Sequence, residues 1–355
     1  MSRLLSIPRE LRDEILLLVV EGRRLTPTSV FEVKKQQRES LHDFSEYEWH
    51  SGSSFYLTDS AAYSLNAPPL FLCNKQIQAE TRAIIHRRGL NYELEIKVLN
   101  DRYFAPTWVS IPALAEKVNR VSVVFQSTGA FEYRPSGCPF LPEGKGTHDI
   151  WQRGCGGPCM WVWMLYGLLQ RFLYHGPVGA RSETSRPRAI AIDNLELDFV
   201  DPEDLEALLP ELLTDEEKAK AFNLHEYNGY DRRLLPGADG LLRPESFEES
   251  VRHEIVSLLA VSYHTAEYGA ILYERLGTLS FKVNGKLVAQ IDLGKELAER
   301  KFNDNFQNVE RSQRPQHWND WKNGMLKKRK YHGLTTVEYE DGWKEETFAI
   351  AKKIY

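Results

Sequence analysis

Apolar residues recur at helical spacing close to the start of the chain. Leu11, Ile15 and Leu18 fall on one face of a helix expected over residues 8–20, and Leu16 and Val19 widen that stripe. Pro8 suits the first helical position, because the N–H it lacks would be unpaired there. Glu10 lies in the first turn, where the helix dipole favours an anion, and Gly22 is a natural stop. Residues 23–66 lose this pattern. Polar and charged side chains dominate, apolar groups at 30–33 and 55–57 are each consistent with a short strand, and the stretch reads as a variable, partly ordered insertion. A second helix is expected over residues 70–88. Pro68 and Pro69 open it, Gly89 closes it, and Leu70, Cys73, Ile77, Thr81 and Ile84 share one face.

The period then changes. Tyr92, Leu94, Ile96 and Val98 alternate with Glu93, Glu95 and Lys97, the pattern of a half-buried strand. Residues 112–118 read as a short helix and 121–126 as a second strand. A Gly- and Pro-rich loop at 135–157 precedes a helix at 160–174. Trp161, Trp163, Leu165, Leu168, Leu169 and Phe172 make that helix apolar nearly all round, hence buried. A loop at 176–188 leads to a strand at 189–200 and a helix at 203–213. Thr214 and Glu217 form a capping box for another helix. After a loop at 226–246, residues 250–276 read as one long helix. Asn284 and Gly285 between alternating runs are a strong hairpin signal, and Asp341 and Gly342 suggest a second. No internal repeat of fixed period is present. Helices come first and mixed elements follow, without the strict alternation of a doubly wound sheet. The expected class is α+β: an N-terminal helical element, then mixed helices and short strands or hairpins. Residues 1–90 would form a helical module carrying the insertion, and 91–355 an α+β, partner-binding domain.

Composition narrows the function. The 355 residues are 42% hydrophobic and 27% charged, which supplies a large core. The net charge of −5 gives the whole chain no electrostatic match to nucleic acid or an anionic membrane surface. Four cysteines are too few to staple a chain of this length, which points to a reducing, intracellular setting, cytoplasmic or nuclear. Cys155 and Cys159, even with Cys138 and His148, match no common zinc spacing. No metal or cofactor is expected. The N-terminus lacks a signal-peptide pattern, and the apolar run at 15–20 is far too short to span a bilayer.

Catalytic motifs are missing as well. No paired-histidine zinc helix or nucleophile elbow occurs. Gly144, Lys145 and Gly146 lack the Ser or Thr that must follow a phosphate-loop lysine, and Gly154, Gly156 and Gly157 follow no expected strand. The chain is therefore expected not to be an enzyme. Lys327, Lys328, Arg329 and Lys330 form the sharpest basic run. The favoured reading is a solvated helix end; a nuclear import or phosphate-contacting patch is the alternative. His317, Trp318 and Trp321 just before it read as packing residues. Glu10 and Arg12 on the first helix, and Glu80 and Arg82 on the second, are spaced to pair across two packed helices, Glu10 with Arg82 and Arg12 with Glu80.

The segment Leu4, Leu5, Ile7, Pro8, Glu10, Leu11, Ile15 and Leu16 resembles the opening of an F-box, a Leu-x-x-Leu-Pro-x-Glu-Leu pattern followed by Ile-Leu, with Ile7 in place of the usual Leu. Residues 69–82, with Leu72, Cys73, Gln76, Ile77 and Glu80, are similar to the second element of a fungal group of F-box-like proteins. The related domain named for two Glu-x-Arg motifs belongs to the same group. The stretch from Gly154 to Pro177 is more loosely similar. The resemblance implies that Ile7, Pro8, Leu11 and Ile15, flanked by Leu4 and Leu5, contact the adaptor subunit of a cullin–RING ubiquitin ligase. The C-terminal part would hold an unknown protein substrate. Two alternatives stand beside this. The chain is an interaction protein without ligase contact, its Leu11, Ile15 and Leu18 packing internally on Leu70, Cys73, Ile77 and Ile84; or it associates with nuclear nucleic acid or chromatin through residues 327–330. Exposure of the Leu11/Ile15 stripe separates the first two readings.

Overall fold

The computed structural model describes residues 3–28, 32–33, 38–40, 56–58, 65–99, 103–128, 160–177, 188–202, 243–261, 266–302 and 310–337. A 3-10 turn, Arg3–Ser6, leads into α1, Arg9–Val20. Two three-residue strands, β1 (Arg38–Ser40) and β2 (Tyr56–Thr58), pair antiparallel. Next come α2 (Pro68–Cys73) and α3 (Lys75–Arg88). The helix expected over 70–88 is thus broken. Asn74 adopts an extended backbone and its side chain accepts from the Ile77 N–H at 2.9 Å, starting α3 as an N-cap.

A six-stranded sheet follows, in the order β4-β3-β5-β6-β7-β8. Its strands are β3 (Asn91–Leu99), β4 (Tyr103–Ser110), β5 (Lys117–Thr128), β6 (Ala191–Val200), β7 (Leu276–Val283) and β8 (Lys286–Asp292). The inner four, β3, β5, β6 and β7, run parallel, and β4 and β8 close the edges antiparallel. Parallel neighbours need long crossovers. The β5–β6 crossover contains α4 (Met160–His175), and the β6–β7 crossover contains α5 (Pro244–Leu259) and α6 (Ala266–Arg275). After β8 come α7 (Leu293–Glu299) and α8 (Arg314–Tyr331). The mixed helices and strands agree with the expected α+β class, but the sheet is parallel at its centre.

The pleat sorts side chains to two faces. Val121, Leu195 and Leu279 stand in register across β5, β6 and β7, and α4, α5 and α6 bury this apolar side. Phe125 stacks on Phe199 at 4.9 Å, and Phe247 of α5 meets both rings edge-on. The opposite face is polar. Lys282 pairs with Glu196 at 2.8 Å across β7 and β6, and the buried Lys97 with Glu95 at 2.9 Å. Lys97 also bonds Gln126 of β5. Asn284 and Gly285 both take positive φ, 49° and 76°, the type I′ hairpin geometry their sequence announced.

Several expectations need correction. β4 was not foreseen: Pro106 breaks its pattern, yet proline is tolerated on an edge strand because it has no N–H to donate to a ladder. Residues 112–118 are not helical; β5 already begins at Lys117. The long helix at 250–276 is two helices, starting earlier at Pro244 and interrupted past Leu259, where Val261 has φ 52°. Residues 32–33 are helical rather than extended. The loop at 135–157, the helices at 203–217, the 226–242 part of the second loop and the turn at Asp341 lie outside the described residues. No helix among the described residues is long and apolar enough to cross a membrane.

Candidate interaction surface on the first helix

Arg12 determines which side of α1 faces inward. Its guanidinium is buried and holds Glu80 of α3 in a bidentate pair, Nε to Oε2 at 2.6 Å and Nη2 to Oε1 at 2.7 Å. A further N–H donates to the Ile7 carbonyl at 2.9 Å, tying down the turn before the helix. Gln76 also donates to Glu80, at 3.1 Å. With Arg12 inside, residues four and eight further along must follow it: Leu16 and Val20 are buried, and Leu16 packs with Ile77 and Ile84. Leu4, Leu5, Leu17 and Leu70 flank this small cluster. Asn66 closes the end of α1 by donating to the Val20 and Gly22 carbonyls at 3.0 and 2.8 Å. The neighbouring backbone is fixed to the sheet, Arg24 N–H to the Val109 carbonyl at 2.9 Å and Ala67 N–H to the Pro112 carbonyl at 2.8 Å.

One of the two expected charge pairs is therefore present and the other is not. Arg82 lies over the Phe71 ring at 5.4 Å, and no Glu10–Arg82 pair occurs among the described residues.

The stripe does not pack on the second helix as the internal-packing expectation has it. Leu11 is 58% exposed, Ile15 41%, Leu18 74% and Val19 42%, while Cys73, expected on the buried face of the second helix, is exposed as well. Four large apolar groups thus share the solvent side of a helix whose other side is pinned by an ion pair. The candidate contacts divide: Leu11, Ile15 and Pro8 are exposed, whereas Leu4, Leu5 and Ile7 are half-buried. Leu18 and Val19 belong to the exposed surface although the F-box pattern alone did not select them.

The Arg12 hydrogen bond holds the Glu80 carboxyl below the ordinary glutamate value of 4.5. A depressed carboxylate contributes stability that is fully present above its unfolded value and lost as pH falls through the folded one. Wild-type protein should therefore lead a Glu80→Gln variant in thermal melts by a constant margin above about pH 5.5, with the margin shrinking below pH 4.5. A margin independent of pH between 7 and 3 would show that the pair does not form.

The basic run is not a single patch. Arg329 is fully buried: it donates to the Tyr273 carbonyl at 2.6 Å, the Leu276 carbonyl at 2.7 Å and the Thr335 carbonyl at 2.9 and 3.1 Å. Burial pushes its pKa down to about 10, so it remains charged at neutral pH. Lys328 pairs with Glu274 at 2.7 Å, while Lys327 and Lys330 face solvent. Upstream, Trp318 is buried and Trp321 packs edge-on against Tyr273, so these two do pack as expected; His317 is exposed. Among the described residues no cluster of His, Cys, Asp and Glu is arranged to hold a metal, and Cys138, His148, Cys155 and Cys159 lie outside them. Comparison with family models, with curated proteins and with solved structures finds no match.

Proposed function

We propose that the chain is a non-enzymatic recognition protein that docks a partner on the exposed face of α1, and that this partner is the adaptor subunit of a cullin–RING ubiquitin ligase. The observation that carries the reading is the exposure of Leu11, Ile15, Leu18 and Val19 together on a helix locked from behind by Arg12 and Glu80. Large apolar groups gathered on one helix face mark a protein contact more often than a free surface. Covering the part that each leaves exposed would be worth on the order of 1 kcal/mol per side chain. The F-box resemblance of residues 4–16 supplies the identity of the partner, and the sheet region would hold the substrate. The mechanism is tethering: two binding surfaces on one chain raise the effective concentration of substrate at the ligase.

The test is affinity capture by purified adaptor with the wild-type chain and the Leu11→Asp, Ile15→Asp double variant. Both side chains face solvent, so the variant should melt within about 2 °C of wild type, as surface changes do. Adaptor affinity should fall at least thirtyfold, the range of roughly 2 kcal/mol or more for central interface positions. Equal binding by a folded variant, or no binding by wild type, removes the ligase reading.

A further inference from the structure

The chain leaves α8 as a strap, residues 332–337, lying across the end of the sheet where β5 and β7 begin. His332 caps α8, its N–H donating to the Lys328 carbonyl at 3.0 Å, and Gly333 turns the chain with φ 65°. The strap is fastened at three points. Lys117, at the start of β5, donates to the Gly333 carbonyl at 2.7 Å. Leu334 is buried, and its N–H donates to the Arg329 carbonyl at 2.9 Å. The Thr335 carbonyl accepts from Arg329 and lies against Gly294 of α7, where an added Cβ would stand 2.7 Å from it.

The hinge of this strap is ionisable. The His332 side chain is only 7% exposed and stands 3.7 Å from Glu274 of α6, Nε2 to Oε1, too far for a hydrogen bond. That carboxylate is already shared: Arg275 holds Oε1 at 2.8 Å and Lys328 holds Oε2 at 2.7 Å. Arg329 of α8, faced by Asp292, and Lys117, paired with Asp193 of β6 at 3.2 Å, stand at the same end. A proton on His332 therefore sets a third cation against one carboxylate, in a site withdrawn from water. Burial, and then Arg275, hold the imidazole below its ordinary 6.5.

We propose that His332 is a pH-operated latch: neutral, it keeps the strap against the sheet, and protonated, it releases residues 333–337. The sign follows from linkage. A histidine whose folded pKa lies below its unfolded value stabilises the closed strap above pH 6.5, and that contribution is lost as pH falls through the folded value. The inference is independent of the adaptor surface on α1, which uses none of these residues.

The test follows the whole chain by NMR from about pH 7.5 to about pH 5. It reads the His332 imidazole shift and the hydrogen exchange of the Leu334 amide, corrected for intrinsic exchange. His332 should titrate below 6.5, and strap opening should grow as pH falls. Its rise at pH 5 is capped at about thirtyfold, the limit for a free imidazole of pKa 6.5. His332→Gln stays neutral, so its opening should change less than about twofold over the same range. Lys328→Gln takes one cation from Glu274 and should raise the His332 midpoint. The proposal is overturned by a wild-type midpoint at or above 6.5, or by wild-type opening that changes less than about twofold. His332→Gln opening as wild type does, or a midpoint unmoved in Lys328→Gln, overturns it as well.

Discussion

Arg329→Met is expected to destabilise the protein by about 3 kcal/mol, measured by urea unfolding. The reason lies in what the guanidinium does. The last carbonyls of a helix have no partner within it. Tyr273 lies in the final turn of α6, Leu276 opens β7 and Thr335 follows α8, and Arg329 reaches all three with one planar fork. Methionine keeps most of the volume and takes the guanidinium from the buried Tyr273 and Leu276 carbonyls, each loss worth roughly 1–3 kcal/mol, while the exposed Thr335 can turn to water. Relief from burying a charge returns part of that, which holds the net near the lower end. Arg329→Lys should recover only part of the loss, because a single ammonium cannot follow the fork geometry. A Met variant within about 0.5 kcal/mol of wild type would mean that water replaces the guanidinium and that these carbonyls were never shielded.

The same residue shows where sequence reasoning runs out. Four consecutive basic residues read as a solvated helix end, and for Lys327 and Lys330 that holds. Nothing local announces that the third points inward, because the buried carbonyls of Tyr273 and Leu276 that hold it lie 56 and 53 positions away, and Thr335 only completes the fork. The inward face of α1 was hidden for a related reason. Residues 15–20 are all apolar, so periodicity cannot choose among them, and the choice is made by a charged residue, Arg12, through Glu80. The pairing of those two was legible from the spacing of Glu80 and Arg12 on neighbouring helices; its consequence for Leu11 and Leu16 was not. The elements read correctly carry their own local cause: the alternation of β3, the apolar band of α4, the Asn284–Gly285 turn. Those misread, β4 with its Pro106 and the broken helix before β7, depend on position within the sheet or on contacts between helices.

Gly269 and Gly324 make that dependence measurable, because alanine should have opposite effects at the two. Both glycines lie within helices, α6 and α8, where alanine is intrinsically favoured by about 1 kcal/mol. Around Gly324 a Cβ would meet nothing within 4 Å, so Gly324→Ala should raise stability by up to that amount. At Gly269 the Cβ would stand 2.2 Å from the Leu258 carbonyl oxygen and 3.1 Å from its carbon. Those are backbone atoms of the last turn of α5, which cannot swing aside as a side-chain end can. The two helices would have to separate, straining the Tyr273 hydroxyl bond to the Leu259 carbonyl, 2.9 Å long, and the α5–α6 layer that covers β6 and β7. Gly269→Ala should therefore cost about 3 kcal/mol or more despite its helical advantage. If calorimetry finds Gly269→Ala as stable as Gly324→Ala, α5 and α6 do not pack this closely, and the position of α6 against the sheet must be redrawn.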